Sequence, residues 1–283
     1  AISILTTFGI LFSILFEAIE FFKLRSFWYF ITGTTWSPGV IDSQFGALPI
    51  FAGTFVITVI ALGVAIPIGL GSAIYMSEYA SPKLRDYLKP LLEVLAGIPS
   101  VVYGFFAAIT VAPLVVKIAE AIGLEATFNS ALASGVVMGI MIIPTISSLS
   151  DDVIRSVPDS QRKASFGLGM THGETIRDIV LPSAMPGIIS ASLLALSKAL
   201  GETMVVVMAA GLRPNLSWNP LEDMTTVTVT IVNALVGDFE FSSPETLSAF
   251  ALGLVLFVVT LILNMISLSL IRKFKEKYKV NTL

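Results

Sequence analysis

Cysteine is absent from all 283 residues, and histidine occurs once, at position 172. The first absence excludes disulfides, thiolate nucleophiles and cysteine-held metals; the second leaves no histidine cluster for a metal centre. Charge is scarce as well, with Asp, Glu, Lys and Arg at 13% against 55% hydrophobic residues. Globular chains are about one quarter charged, so this one cannot cover a water-facing surface of its size. Its mean hydropathy of +0.87 points to a bilayer as its solvent. A net charge of −3 without a basic patch gives no ground for nucleic-acid binding. The phosphate-cradling pattern G-x-x-x-x-G-K-[ST] is missing. The run from Gly167 to Gly173 places its last glycine one residue too late for G-x-G-x-x-G, and no strand precedes it. Any ATP hydrolysis therefore resides on another polypeptide.

What the chain has in abundance is long apolar runs. A membrane helix needs about 20 largely apolar residues, and such stretches lie near 1–22, 48–76, 90–119, 131–150, 183–210 and 246–271. The first begins at Ala1 with no initiator Met and no basic leader, which points to a preceding segment; the lack of a small-residue cleavage site argues against a signal peptide.

Charge in the connections sets the orientation. Lys83, Arg85 and Lys89, then Arg155, Arg162, Lys163 and Arg177, then Arg272, Lys273, Lys275, Lys277 and Lys279 fall in three alternate connections. The opposite connections hold only Lys23, Arg25 and Arg213, the last among Glu222, Asp223, Asp238, Glu240 and Glu245. Basic residues mark the cytoplasmic side, so both ends of the chain are expected there. Pro67, Pro99, Pro113 and Pro144 interrupt the runs, which hydrocarbon tolerates only in packed or bent helices. Ala191, Ala195 and Ala199 recur at the four-residue spacing that lets helices approach closely. No internal repeat supports an inverted-repeat secondary transporter.

The connection from Asp151 to Pro182 is too polar to span and too patterned for a plain linker. It predicts two short helices, the first capped by Asp159, the second by a capping box of Thr171 and Glu174 and ended by Pro182. Ile176, Ile179 and Val180 give the second a small apolar face for docking. A helical loop lying on the bilayer is the plainer reading.

Lys163-Ala164-Ser165, Gly169 and Ile179-Val180-Leu181-Pro182 resemble the E-A-A-x-x-x-G-x9-I-x-L-P loop of ABC importer permeases, with Lys163 and Ser165 departing from it. The run Leu95 to Phe106 and Ala199-Leu200-Gly201-Glu202-Thr203-Met204 are similar to phosphate-specific permeases of the PstC type, a likeness reaching from about residue 50 to the C-terminus. The resemblance implies an all-α, polytopic membrane bundle of six transmembrane helices with the type I (MetI-like) importer permease architecture. It implies one permease domain over 1–283: first span 1–22, core spans 48–271 with the coupling loop 151–182, and basic cytoplasmic tail 272–283. It implies a transport subunit of the inner membrane, not an enzyme, that binds no cofactor itself. Partners would be a homologous PstA-like permease or a second copy, two PstB-like ATPases using ATP and Mg, a PstS-like extracytoplasmic phosphate-binding protein, and lipid. The coupling positions would be Ala164, Ser165, Gly169, Thr171, His172, Glu174, Ile176, Ile179, Leu181 and Pro182. The receptor would touch the acidic connection 211–245 near Pro214, Trp218 and Pro220.

Two charges fall in the middle of the expected fifth span, where isolated charge costs several kcal/mol. Lys198 and Glu202, four residues apart, would share a helix face and pair. As a substrate site, Lys198 supplies a cation to an oxyanion while Glu202 accepts the hydroxyl proton that hydrogen phosphate carries and sulfate lacks. A structural ion pair is the alternative. Ser100, Tyr103 and Thr203 are candidate hydrogen-bonding groups for a passing anion, or plain helix-contact glue. Glu93 is expected to pair with Lys89, Glu17 and Glu20 to be interfacial, and Asn264 to hydrogen-bond between helices. A permease for sulfate, molybdate or another oxyanion and an ion-coupled secondary transporter stay open as rivals.

Overall fold

The computed structural model describes residues 2–39, 42–236, 240 and 242–277, and most of these are helical. Ala1, Asp238 and Lys279, invoked above for orientation and loop charge, lie outside the described residues, as does the rest of the tail from 278 onward. In chain order the elements are α1 (Ile2–Leu24), α2 (Phe27–Thr32), a hairpin of β1 (Trp36–Ser37) and β2 (Gln44–Phe45), and α3 (Leu48–Ile74). There follow α4 (Pro82–Gly97), α5 (Ser100–Phe106), α6 (Ala112–Ala121), α7 (Ala131–Arg155) and α8 (Asp159–Gly167). The remainder is α9 (His172–Thr175), α10 (Leu181–Leu200), α11 (Met204–Ala209), α12 (Val227–Val236) and α13 (Pro244–Lys277). Among the described residues six stretches are long and apolar enough to cross a membrane: Ile4–Leu24, Leu48–Tyr79, Ser100–Ala121, Ala131–Arg155, His172–Leu200 and Pro244–Lys273.

Two expected spans move. The third is expected from residue 90, but Pro99 forces Ile98 into an extended conformation (ψ 128°) and the span starts only at Ser100. The preceding residues form a separate helix, α4, capped by Ser81, whose Oγ accepts from the Leu84 N–H at 3.3 Å. The fifth begins at His172 and stops at Leu200, whereas 183–210 was expected. Pro182 does not end the helix. A π-helical turn, Ile176–Val180, puts the Leu181 N–H on the Ile176 carbonyl, and that wider turn relieves the clash a proline ring makes with an ordinary α-helix. The π-helical turn Ala107–Val111 does the same ahead of Pro113.

The chain divides into two compact units. The first comprises Ala1–Ile60, Ser100–Val137 and Leu200–Leu261. Its core is an aromatic cluster: Phe21 meets Phe30 and Phe45 edge-to-face at 5.3 and 5.5 Å, and the hairpin pair Trp36 and Phe45 sit 5.6 Å apart. Each such pair adds about 0.5–1.5 kcal/mol to the burial of the rings. In the same unit, segment 211–224 is folded, not loose. Carbonyls of Glu222 and Pro220 accept from the Ala131 and Leu132 N–H groups at 3.0 and 2.8 Å, satisfying donors that the start of α7 leaves free.

The second unit comprises Ala61–Pro99, Met138–Ala199 and Ile262–Leu283. Its core gathers Ala73, Ile154, Val157, Val180, Ala184 and Ile188. Ala191, Ala195 and Ala199 are all buried, as their spacing suggested.

Candidate functional site

Lys198 and Glu202 do not share a helix face. Helix α10 stops at Leu200, and Glu202 belongs to the turn before α11, so the spacing that suggested an i,i+4 pair is broken. Glu202 Oε1 accepts from the backbone N–H of Met204 at 3.0 Å and of Val205 at 3.3 Å. One carboxylate oxygen thus satisfies two backbone donors at a helix start. Thr228 Oγ1 donates to the Glu202 carbonyl at 2.8 Å and fixes the turn from α12. Lys198, one turn before the break, is exposed on the chain.

Helix α5, which carries Ser100 and Tyr103, packs on α11, the helix that follows Glu202, in the first unit. Gly104 makes this possible. A Cβ there would lie 3.0 Å from the Met204 carbonyl and 2.9 Å from the Met208 sulfur, so only glycine lets the two backbones approach. Tyr103 is buried, whereas Ser100 and Thr203 are half-buried.

The elbow at 151–182 has its two helices. Thr171 and Glu174 form the expected capping box, with the Thr171 N–H donating to Glu174 Oε2 at 2.8 Å. Asp159 is not the cap of α8; it is the first helical residue, after Pro158. Gly169 turns the chain between α8 and α9 at φ +82°, a left-handed conformation that favours glycine. The apolar face expected to dock is largely turned inward: Ile176 and Val180 are buried and Ile179 is half-buried. The exposed apolar groups are Phe166 and Leu168, at the end of α8. Ala164, Gly169, Thr171, His172 and Glu174 are exposed, Ser165 is buried, and Leu181 and Pro182 are half-buried.

A set of ion pairs in the second unit escaped sequence reasoning. Arg85 Nη2 meets Asp151 Oδ2 at 2.7 Å, and Lys89 Nζ meets Asp152 Oδ1 at 2.6 Å, pinning α4 to the end of α7. Lys89 therefore pairs with Asp152, not Glu93. The hydrogen bond that Arg85 donates to Asp151 holds the guanidinium above its ordinary range. Arg162 Nη1 lies 2.7 Å from both Glu78 Oε1 and Glu78 Oε2. The available signal was acidic residues at the ends of apolar runs, Glu78 and the Asp151-Asp152 doublet, facing basic residues in the neighbouring connections.

Residues 65–277 match the family described as binding-protein-dependent transport system inner membrane component. The chain belongs to this family of ABC transporter permeases. It is a multi-pass protein of the inner membrane and a transport subunit without catalysis of its own. It is 35% identical to the probable ABC transporter permease protein YqgH of Bacillus subtilis, over 89% of this chain and 78% of that one. It is 36% identical to the phosphate transport system permease protein PstC of Mesorhizobium japonicum, over 83% and 75% respectively. Among solved structures, an inward-facing MetNI methionine ABC transporter matches with a TM-score of 0.58 at 16% identity, over 81% of this chain and 94% of that one. The fold is that of the MetI-like, type I importer permeases, as the sequence resemblance implied.

Proposed function

We propose that the chain is the translocating subunit of an ATP-driven inorganic phosphate importer, acting as one permease domain over residues 1–283. The observation that carries this reading is Glu202 in the turn between α10 and α11, a carboxylate held by the Met204 and Val205 N–H groups where the apolar helix is interrupted. Interrupted helices whose broken ends present polar and charged groups are a usual construction of an ion pathway. Lys198 attracts the oxyanion; Glu202 accepts a proton-bearing phosphate hydroxyl; Ser100, Tyr103 and Thr203 supply further hydrogen bonds. Sulfate offers no such donor and leaves the carboxylate unmatched. Lysine gives a point charge, without the two-pronged grip of arginine, which suits an ion that must leave again. The phosphate transport named for the Mesorhizobium relative supports the same cargo.

Two ATPase subunits, using ATP and Mg, act at the elbow from Ala164 to Pro182, against the exposed Phe166 and Leu168. A PstA-like sister permease or a second copy completes the pathway. A phosphate receptor docks near segment 211–245, where Trp218 stands 68% exposed. The positive-inside distribution puts the elbow and the C-terminus in the cytoplasm.

The test is Glu202→Gln in the assembled transporter. The amide oxygen keeps the cap on Met204 and Val205, while its NH2 donates where the carboxylate accepted. Phosphate uptake should fall and discrimination against sulfate should shrink; unchanged selectivity removes the filter, and preferred uptake of sulfate or molybdate reassigns the cargo.

A further inference from the structure

Resting on the coupling role just proposed, we infer that Glu78 and Arg162 are positioning residues: their ion pair is the joint through which movement of α8 reaches the transmembrane helices. Glu78 sits in the π-helical turn Tyr75–Tyr79 that closes the span begun by α3. Arg162, on α8, places Nη1 at 2.7 Å from each Glu78 carboxylate oxygen and donates from Nη2 to the Ile154 carbonyl at 3.0 Å, near the end of α7. One guanidinium on the elbow therefore grips the ends of two spans. A third element converges on the same carboxylate: His172, which opens α9, has Nε2 3.9 Å from Glu78 Oε2. Its ring meets Tyr79 edge-on at 5.3 Å and stacks on Phe166 at 6.4 Å.

The fastenings of α8 are few and polar. Within the helix only Ser165 is buried, so no apolar core holds it. Its contacts include Arg162, the Ser165 contact with Thr175, the Phe166 stack on His172, and an exposed hydrogen bond from Ser183 Oγ to Gln161 Oε1 at 3.1 Å. Of these, Arg162 alone bonds directly to both the Tyr75–Tyr79 turn and α7. Glu78 is 4% exposed and Arg162 18%, so the pair is shielded from solvent and salt. Buried ion pairs contribute little net stability compared with apolar side chains of similar volume, but they fix geometry between the elements they join. A force applied to Phe166 or Leu168 passes through rigid, short contacts into two spans at once. Without the pair, α8 reaches the spans only indirectly, through α9 and its His172 contact with Tyr79, and its movement is passed on less directly.

The experiment measures ATPase retention, ATP turnover and phosphate uptake in the reconstituted transporter carrying wild type, Glu78→Gln, and the swap Glu78→Arg with Arg162→Glu. Glu78→Gln should retain the ATPase and its turnover while uptake per ATP falls by about tenfold or more, as expected when a coupling element is cut. The swap should restore part of that ratio. Uptake per ATP unchanged in Glu78→Gln overturns the inference. So do equal losses of uptake, turnover and bound ATPase in both variants, which assign the pair to folding alone. A wild-type chain that retains no ATPase sinks the function proposed above together with this inference, whereas a working wild type with an unaffected Glu78→Gln sinks this inference alone.

Discussion

Ser165 Oγ lies 2.9 Å from Thr175 Oγ1, both buried, and joins α8 to α9 across the Gly169 turn. Ser165 also lies 2.8 Å from the Arg162 carbonyl, to which it donates. A hydroxyl carries one proton, so Thr175 must be the donor to Ser165. Where the resembling loop pattern has alanine, this chain has a hydroxyl that continues a short relay from one elbow helix to the other.

Ser165→Ala therefore restores the pattern but strands the Thr175 hydroxyl in a buried site, at a cost of about 1–3 kcal/mol. Replacing Thr175 by valine as well should recover much of the loss, with a coupling of about 1 kcal/mol in the double-mutant cycle. Apparent melting temperatures of the purified protein in mild detergent report all four corners. Additive losses would show that the two hydroxyls do not act on one another.

Adjacent acids at the end of α7 should behave very differently. Asp151 is 1% exposed and bound to Arg85; Asp152 is 55% exposed and bound to Lys89. Asp151→Ala leaves a guanidinium without its partner in a largely enclosed site, which costs about 3–5 kcal/mol. Asp152→Ala loses an exposed pair that contributes at most about 1 kcal/mol. Thermal unfolding of the two variants, at low and high salt, separates them: only the Asp152 effect should shrink with salt. Equal losses would mean that α4 does not depend on the buried pair.

Most of the fold was legible because a bilayer leaves one strong signal, the apolar run, and four of the six spans stand close to where it put them. The two misplaced spans share a cause. Proline breaks the helix at 99 and not at 182, because its effect depends on whether the preceding turn can widen. At 176–180 a π-helical turn absorbs the ring; at Ile98 the backbone extends instead. The site was less legible. Spacing suggested a Lys198–Glu202 pair, but spacing predicts proximity only along an unbroken helix, and Gly201 ends that condition. Glu78 and Arg162 are 84 residues apart, and nothing local links them. The capping box at Thr171 and Glu174 was readable because its geometry is contained in four consecutive residues.

Glu222 supplies a prediction in pH. It is an acceptor for Ser217, Asn215 and Asn219, and these hydrogen bonds hold its carboxyl below the usual carboxylate range, with Arg213 adding to the effect. A group whose pKa is lowered on folding stabilises the fold above its unfolded value, about 4.3 for Glu, and that contribution is lost as pH falls through the folded value. The same residue's carbonyl accepts the Ala131 N–H, and Pro220 accepts that of Leu132. Protection of these two amides from hydrogen exchange, corrected for intrinsic rates, should therefore hold near neutrality and drop as pH is taken below the ordinary Glu range. Glu222→Gln cannot ionise, so its protection should be nearly flat over the same window and lower than wild type at neutral pH. Parallel profiles for the two proteins would show that the carboxylate does not order segment 211–224.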